Sequence, residues 1–203
     1  MWVKEMFLKK ASNLKIAKLI FIFVILSWSA KSDENTYLKD ASTYLSNLNE
    51  FSSSFVQIQN NEVSEGLIFI KGKRLRIEYR SPSNIIFVMK KNKVMYFNTE
   101  LQEVQYFNPK DTIGQFFIDL FNNDNFLLNS KTRGGKGYFI IFKEIEFENE
   151  KQEIEIYFEK KPLQLRKLQI INDEGITTFT ILNPNFNPNL DNKIFSLANP
   201  LLG

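Results

Sequence analysis

Residues 63–98 read VSEGLIFIKGKRLRIEYRSPSNIIFVMKKNKVMYFN, and this stretch decides the expected fold. It contains four short runs rich in β-branched and aromatic residues, separated by Gly, Pro, Ser and Asn, which favour turns. The runs predict strands at Val63–Ile70, Arg74–Tyr79, Ile85–Lys90 and Lys93–Asn98. A parallel pair of strands would need a crossover of about a dozen residues. The short links therefore predict an antiparallel meander.

The same pattern continues on both sides of this stretch. Further strands are predicted at Phe55–Gln59, Glu103–Phe107, Tyr138–Phe142, Glu153–Glu159, Leu165–Ile171, Ile176–Asn183 and Ile194–Leu197. The segment Asn172–Gly175 is typical of a tight hairpin turn, with Gly175 available for a positive φ. The chain is thus expected to form about 11 strands in a single domain.

Two segments have helical spacing instead. From Asn35 to Glu50 the apolar residues recur every three or four positions, which predicts one amphipathic helix. A second helix of about ten residues is predicted between Pro109 and Asn122, with Thr112 and Gln115 as a capping box. Its apolar stripe consists of Ile113, Phe116, Phe117, Leu120 and Phe121.

Several predicted strands are apolar on both faces, among them Leu67–Ile70, Ile85–Met89 and Tyr138–Phe142. With too few helices for a layered α/β fold, such strands need cover on both sides. A sandwich provides it, and so does a strongly curved sheet that wraps around helices or around a hydrophobic cavity. From pattern alone, the aromatic helix fits either a plain core or the cover of an apolar ligand site.

The composition excludes several kinds of chemistry. The 203 residues include no histidine and no cysteine, so there is no Ser-His-Asp or Cys-His nucleophile and no thiolate or imidazole zinc site. A carboxylate-based hydrolase could invoke Glu144, Glu146, Glu148 and Glu150. Their spacing of two instead fits a solvated strand face or loop. We therefore expect a protein that is not an enzyme and has neither a metal nor a cofactor.

The N-terminus has the pattern of a secretory signal peptide. Residues 1–18 carry five lysines against one acid, and an apolar run follows from Leu19 to Leu26. Those eight residues are too few to span a bilayer, which takes about 20. We expect cleavage after Ser29, with Ala30 as the alternative, and a mature domain at 30–203 in the periplasm. Met6 would serve equally well as the start, and an uncleaved membrane anchor is the alternative interpretation.

Removing the leader changes the charge of the protein. The whole chain has 26 basic and 23 acidic residues, whereas the expected mature chain has 21 and 22, for a net charge of −1. Nucleic-acid binding needs a concentrated positive surface. The mature composition gives no support for a nucleic-acid partner.

A series of short motifs follows in order along the mature chain. They comprise Phe51, Phe55 and Gln57; Gly66 opening a strand; Lys71–Tyr79 with Pro82; Lys93–Asn98 with Glu103 and Val104; Asp173 and Gly175 before Thr177–Leu182; and Phe195 with Pro200. In order and spacing, the chain from about Asn35 to Pro200 resembles the periplasmic outer-membrane lipoprotein carrier family (LolA-like). The family's outer-membrane receptor is itself a lipoprotein, so the missing cysteine favours the soluble carrier.

The resemblance implies a mainly β fold with two or three helices: a curved, incomplete antiparallel barrel that encloses a hydrophobic cavity under a helical lid. It implies a monomeric periplasmic chaperone that binds the acyl chains of lipoproteins. The implied partners are acylated lipoprotein cargo, an inner-membrane lipoprotein-releasing ABC transporter and an outer-membrane lipoprotein receptor. Another periplasmic lipid- or lipoprotein-binding or sensing module of the same fold is the alternative.

The resemblance also implies where the acyl chains bind. The cavity and lid residues are expected to be Leu75, Ile77, Tyr79, Phe87, Ile113, Phe116, Phe117 and Leu120. Relatives typically carry Arg-Pro where this chain has Lys71-Gly72, with the Arg fastening the lid by hydrogen bonds. Lys71 is therefore a candidate lid latch, although lysine lacks the forked donor geometry of arginine and a solvated turn lysine is the simpler interpretation.

Overall fold

The computed structural model describes residues 35–109, 112–123, 125–147 and 150–202. The predicted leader, residues 1–29, lies outside these ranges. Within them, no helix combines the length and the apolar character that crossing a bilayer requires.

The elements follow one another in an order dominated by strands. Helix α1 is described over residues 35–46. The strands are β1 Glu50–Gln59, β2 Glu62–Lys71, β3 Arg74–Ser81, β4 Ile85–Lys90, β5 Lys93–Asn98, β6 Glu103–Phe107, β7 Lys131–Gly134, β8 Tyr138–Phe147, β9 Glu150–Lys160, β10 Leu163–Asn172 and β11 Gly175–Phe186. Helix α2, Ile113–Asn122, lies between β6 and β7.

All 11 strands form one antiparallel sheet in the order β6-β5-β4-β3-β2-β1-β11-β10-β9-β8-β7. Among the described residues, β6 and β7 are the two edges and do not pair with each other, so the sheet is not closed. The first and last strands lie side by side at its centre, where Phe55 pairs with Ile181. This confirms the predicted fold class, a mainly β protein with a curved, incomplete antiparallel barrel.

The tight turns use residues that tolerate a positive φ. Asn60 and Asn61 join β1 to β2 with φ values of 50° and 66°, the geometry of a two-residue type I′ hairpin. The predicted hairpin at Asn172–Gly175 is confirmed, with Gly175 at a φ of 132°. These turns fix the pairing register and so determine which side chains face the concave side of the sheet.

Strand β3 shows how the sheet divides its residues between two faces. Leu75 and Ile77 are buried on the concave face, whereas Arg74 and Arg76 point to the convex face. On the concave side, buried residues from most of the strands form one continuous apolar core with α1 and α2. The doubly apolar strands therefore need separate cover on the convex side.

That cover is the C-terminal strap, residues 187–202. Its Phe195 is fully buried against Val88, Met95 and Phe97 on the convex face. Arg74 Nη1 donates to Asn192 Oδ1 at 2.6 Å, and Arg76 Nη1 donates to the Ile194 carbonyl at 2.9 Å. The strap thus shields the convex apolar residues of β4 and β5 and is held by the outward arginines of β3.

One predicted strand was wrong, one predicted helix ends early, and one strand was missed. Ile194–Leu197 is not a strand, because Asn192–Phe195 forms a 3-10 helix that places Phe195 against the sheet. The first helix ends at residue 46, four residues early, and β1 begins at Glu50. The unpredicted strand is β7, a short and polar edge strand with little apolar pattern to reveal it.

Gly66 in β2 packs closely against the two neighbouring strands, β1 and β3. A Cβ at this position would lie 2.2 Å from the Glu78 carbonyl oxygen and 2.9 Å from the Phe55 ring. Because the backbone of β3 cannot shift without breaking its pairing, we expect Gly66→Ala to lower the free energy of unfolding by about 2–3 kcal/mol. Urea denaturation measures this. Ser64→Ala on the same strand is the control, and equal losses in both variants would contradict the argument.

Candidate functional site

Helix α2, the lid helix, lies against the concave face of the sheet. Its side chains Phe116, Phe117, Leu120 and Phe121 are all buried, and Ile113 is its first residue. Gly114 allows a close approach to β3, since a Cβ there would lie 3.1 Å from a methyl group of Leu75. Four residues of the predicted apolar stripe, Phe116, Phe117, Leu120 and Phe121, therefore face the sheet, and the side chain of Ile113 lies outside the described part of the structure.

The predicted capping box at the start of α2 was wrong. Thr112 makes no side-chain cap to the helix, and its hydroxyl donates to the Pro109 carbonyl at 2.8 Å. The Gln115 amide instead donates to the Asp119 carboxylate at 2.9 Å, one turn further on. The start of the helix is thus positioned by the preceding turn rather than by a reciprocal cap.

Phe117 occupies the middle of the concave face. Its ring lies 5.4 Å from that of Phe179 in an edge-to-face arrangement. Together with Phe55, Ile68, Ile77, Ile181 and Phe179 it lines a residual cavity of about 10 Å³. A water molecule needs roughly 10–15 Å³, so this interior is essentially full. The space inside the half-barrel is filled by the lid helix's own side chains.

The predicted cavity residues on the sheet share this concave face. Leu75 and Ile77 are buried beneath α2, whereas Tyr79 and Phe87 are half-buried and pack at the margin of the same core. The Phe87 ring lies 5.7 Å from that of Phe107 on the edge strand. The structure therefore brings the predicted sheet residues together with Phe116, Phe117 and Leu120.

Tyr79 supplies a polar group at this margin. Its hydroxyl donates to Gln57 Oε1 at 2.7 Å. Burial raises the pKa of Tyr79 to about 12, so its phenol stays neutral at physiological pH. A neutral, hydrogen-bonded phenol can line an apolar site at little electrostatic cost.

Further aromatic contacts hold the lid helix, and the sequence analysis did not assign them to the site. The rings of Phe121 and Phe51 lie 5.1 Å apart, and those of Phe116 and Phe126 lie 5.7 Å apart. Phe126 belongs to the turn after α2 and has no periodic pattern around it. Phe51 belongs to the part of β1 that was assigned to no strand.

Helix α1 covers the other half of the concave face. The Tyr37 ring stacks on Phe139 of β8 with centroids 4.8 Å apart, and the Tyr44 ring lies 5.5 Å from Phe158 of β9. Burial raises the pKa of Tyr44 to about 12, although its contact with the Leu165 N–H acts in the opposite direction. The two helices therefore share the concave face: α1 packs against β8–β11, and α2 packs against β1, β3 and β11.

Among the described residues, a polar contact from the lid helix to the sheet comes from its last residue. The Asn122 side-chain amide donates to the Gly72 carbonyl at 3.0 Å, in the turn between β2 and β3. Lys71 in the same turn has other partners, because its ammonium binds Glu50 at 2.7 Å and the Leu190 carbonyl at 2.7 Å. Lys71 thus joins β2 to β1 and to the strap, while Asn122 makes the contact between lid and turn.

The Glu50–Lys71 pair predicts a pH dependence of stability. The hydrogen bonds from Lys71 and from the Leu190 N–H hold the pKa of Glu50 below its ordinary value of 4.5. Because the folded pKa is depressed, this stabilisation is present above pH 4.5 and is lost as the pH falls through the lower folded value. We expect Glu50→Gln to flatten the acid side of the stability profile, measured by urea unfolding below pH 5. An unchanged profile would contradict this.

These features define a class of protein: an open antiparallel barrel whose apolar concave face is covered by helices, which is the architecture of a binding module. A family model described as the outer membrane lipoprotein carrier protein LolA matches residues 46–198. The chain belongs to that family. Its members are binding and carrier proteins that act outside the cytoplasm, and the family is not one of enzymes.

Individual proteins resemble the chain more distantly. Uncharacterized protein RP864 of Rickettsia prowazekii (strain Madrid E) is 26% identical over 191 residues, which cover 89% of this chain and 85% of that protein. The MucB crystal structure matches with a TM-score of 0.50 at 11% identity, over 79% of this chain and 62% of MucB. The Pseudomonas aeruginosa MucA/MucB complex gives 0.46 at 14% identity, over 77% and 60%. At 11% identity the MucB match shows the fold alone.

Proposed function

We propose that the protein is a periplasmic chaperone that binds the acyl chains of lipoproteins released from the inner membrane and delivers them to the outer-membrane receptor. The observation that carries the proposal is the apolar interior filled by Phe116, Phe117 and Leu120 of a single short helix. Those side chains cover the interior when it is empty and move aside together when acyl chains enter.

The energetics favour a site of this kind. Each buried CH₂ group is worth about 0.8 kcal/mol, so acyl chains do not leave a membrane for water unaided. An interior lined by Leu75, Ile77 and Phe87 replaces the bilayer. Because the lid helix refills that interior on release, the free energy of its closure offsets part of the binding energy and permits delivery.

The polar contacts of the lid helix are suited to reversible opening. Asn122 joins α2 to the β2–β3 turn through a neutral hydrogen bond to Gly72, not through an ion pair. A neutral hydrogen bond contributes about 0.5–1.5 kcal/mol, which a docking or loading event can overcome. Lys71, proposed from the resemblance as the latch, is engaged by Glu50 and the strap.

The proposal includes processing and partners. Residues 1–29 form a cleaved signal peptide, and 30–203 form the carrier domain. An inner-membrane ABC transporter supplies acylated cargo, and an outer-membrane receptor accepts it. N-terminal sequencing of the protein from the periplasmic fraction, with residue 30 as the expected first residue, tests the processing directly.

Mass spectrometry of the protein isolated from the periplasm tests the function. We expect a co-purified triacylated lipoprotein in stoichiometric amount, and transfer of that cargo to outer-membrane vesicles. Turnover of a lipid substrate would identify an enzyme instead. Acyl binding without transfer would favour a lipid-sensing module, and absence of any bound acyl chain under loading conditions would refute the proposal.

A further inference from the structure

The turns of the sheet separate charge between its two ends. We call the end that carries the β2–β3, β4–β5, β7–β8 and β9–β10 turns the basic end. Lysine is the only charged residue type in these four turns, residues 71–73, 90–93, 135–137 and 160–162. The lysines are Lys71, Lys73, Lys90, Lys91, Lys93, Lys136, Lys160 and Lys161.

The opposite, acidic end carries the β1–β2, β3–β4, β5–β6, β8–β9 and β10–β11 turns. Its described acids are Glu62, Glu100, Glu103, Glu146, Glu150, Asp173 and Glu174, with Arg80 and Lys151 as the basic residues beside them. Antiparallel connectivity sends alternate turns to opposite ends, so this separation follows from the order of residues along the chain. A mature chain of nearly zero net charge is therefore strongly polarised.

Local contacts leave the basic end charged. Glu50 is held by Lys71, and Glu159 is held by Arg166 at 2.6 Å. Asp119 lines one cleft with Lys73, and Asp191 follows Leu190, whose carbonyl accepts from Lys71. Each of the four turns nevertheless presents an exposed lysine at its tip, namely Lys73, Lys91, Lys136 and Lys161. The positive charge thus extends across the width of the sheet.

We propose that the basic end docks onto an anionic phospholipid surface. An array of separate lysine tips fits a diffuse layer of negative headgroups, because ammonium groups act as point charges and need no fixed partner geometry. Recognition of carboxylates on a protein favours the forked guanidinium instead. Of the arginines near this end, Arg74 is engaged by Asn192, Arg166 by Glu159, and Arg133 lies over the Phe142 ring.

The docking surface includes the hydrogen bond between the lid helix and the β2–β3 turn. Gly72, whose carbonyl accepts from Asn122, lies between Lys71 and Lys73 in the β2–β3 turn. Anionic headgroups bound at this turn would interact with Lys71 and Lys73, on either side of the carbonyl that accepts from Asn122. That docking would help to open the lid helix rests on the proposed function, whereas docking itself rests on the placement of the lysines alone.

Cosedimentation with lipid vesicles tests the docking. The protein purified from the periplasmic fraction, without its leader, is mixed with phosphatidylcholine vesicles, with or without phosphatidylglycerol, across a range of salt concentrations. The basic-end variant is Lys91→Glu/Lys136→Glu/Lys161→Glu, which leaves Lys73 and the lid contact intact. The matched control is Arg80→Glu/Lys131→Glu/Lys151→Glu, three exposed basic residues outside the four turns with the same change in net charge.

We expect salt-sensitive binding to the phosphatidylglycerol vesicles, weakened at least about tenfold in the basic-end variant and by less than about threefold in the control. Equal weakening in both variants would mean a net-charge effect and would overturn the proposal. So would absence of wild-type binding at low salt, an outcome that would point to an acidic protein partner. Acyl loading from detergent is measured separately, so its failure counts against the proposed function and not against docking.

Discussion

Bridging the lid helix to the β2–β3 turn is expected to abolish acyl loading. Lys73 and Asn122 line one surface cleft, and the chain has no native cysteine, so Lys73→Cys/Asn122→Cys introduces a unique thiol pair. A short bis-maleimide would fasten α2 in its closed position, with Phe117 held inside the half-barrel. Since acyl chains and Phe117 occupy the same space, the bridged protein has no room for cargo. Fluorescence binding of a labelled triacylated lipopeptide measures the loss.

The control places a second bridge away from the lid. Gln169 and Thr178 face each other across β10 and β11, with their side chains hydrogen-bonded at 2.9 Å. Gln169→Cys/Thr178→Cys treated with the same reagent should load normally, as should the unbridged lid pair. Normal loading of the bridged lid pair would show that α2 does not need to move.

Truncating Phe117 is expected to destabilise the empty protein and to strengthen acyl binding. Removing a buried phenylalanine side chain typically lowers the free energy of unfolding by about 3–5 kcal/mol, because a cavity is left behind. Here that cavity lies where the acyl chains are proposed to bind. A weaker closed state costs less to open, so we expect Phe117→Ala to bind the lipopeptide up to about tenfold more tightly.

Phe195→Ala is the matched control for that variant. Phe195 is also fully buried, but it lies on the convex face beneath the strap. We expect a comparable loss in thermal and urea stability with unchanged acyl affinity. Equal affinity changes in both variants would contradict the proposal that acyl chains bind on the concave face. If Phe117→Ala does not fold, Phe117→Leu gives the same comparison with a smaller cavity.

The sequence predicted the elements that have strict local patterns. Strands β4, β5 and β6 match their predicted bounds, because short runs rich in β-branched and aromatic residues are bounded there by clear turn residues such as Lys91 and Asn92. The stripe on α2 was also predictable, since Phe116, Phe117 and Leu120 recur at helical spacing. The need for cover on both faces of β4 followed from its apolar composition.

Features that depend on long-range contacts were not predictable in the same way. The local pattern predicted that Phe195 lies in a strand. Its position in the 3-10 helix of the strap depends instead on its packing against the convex face of the sheet. Asn122 as the lid contact depends on the position of the Gly72 carbonyl, 50 residues earlier. The basic end could not be predicted without the strand order, because its lysines are spread along the sequence from Lys71 to Lys161.

The pairing of the first strand with the last has a consequence for folding. Phe55 and Ile181 are neighbours in the sheet, although 126 residues separate them along the chain. Contacts of such high sequence separation slow folding, because a long loop must close before they form. The hairpins of β1–β6 and those of β7–β11 form two arrays that can fold early from local turns, but β1 keeps one unpaired edge until β11 pairs with it. We therefore expect joining of the two arrays to limit the folding rate, and the newly made chain to need protection from aggregation until its last strand is complete.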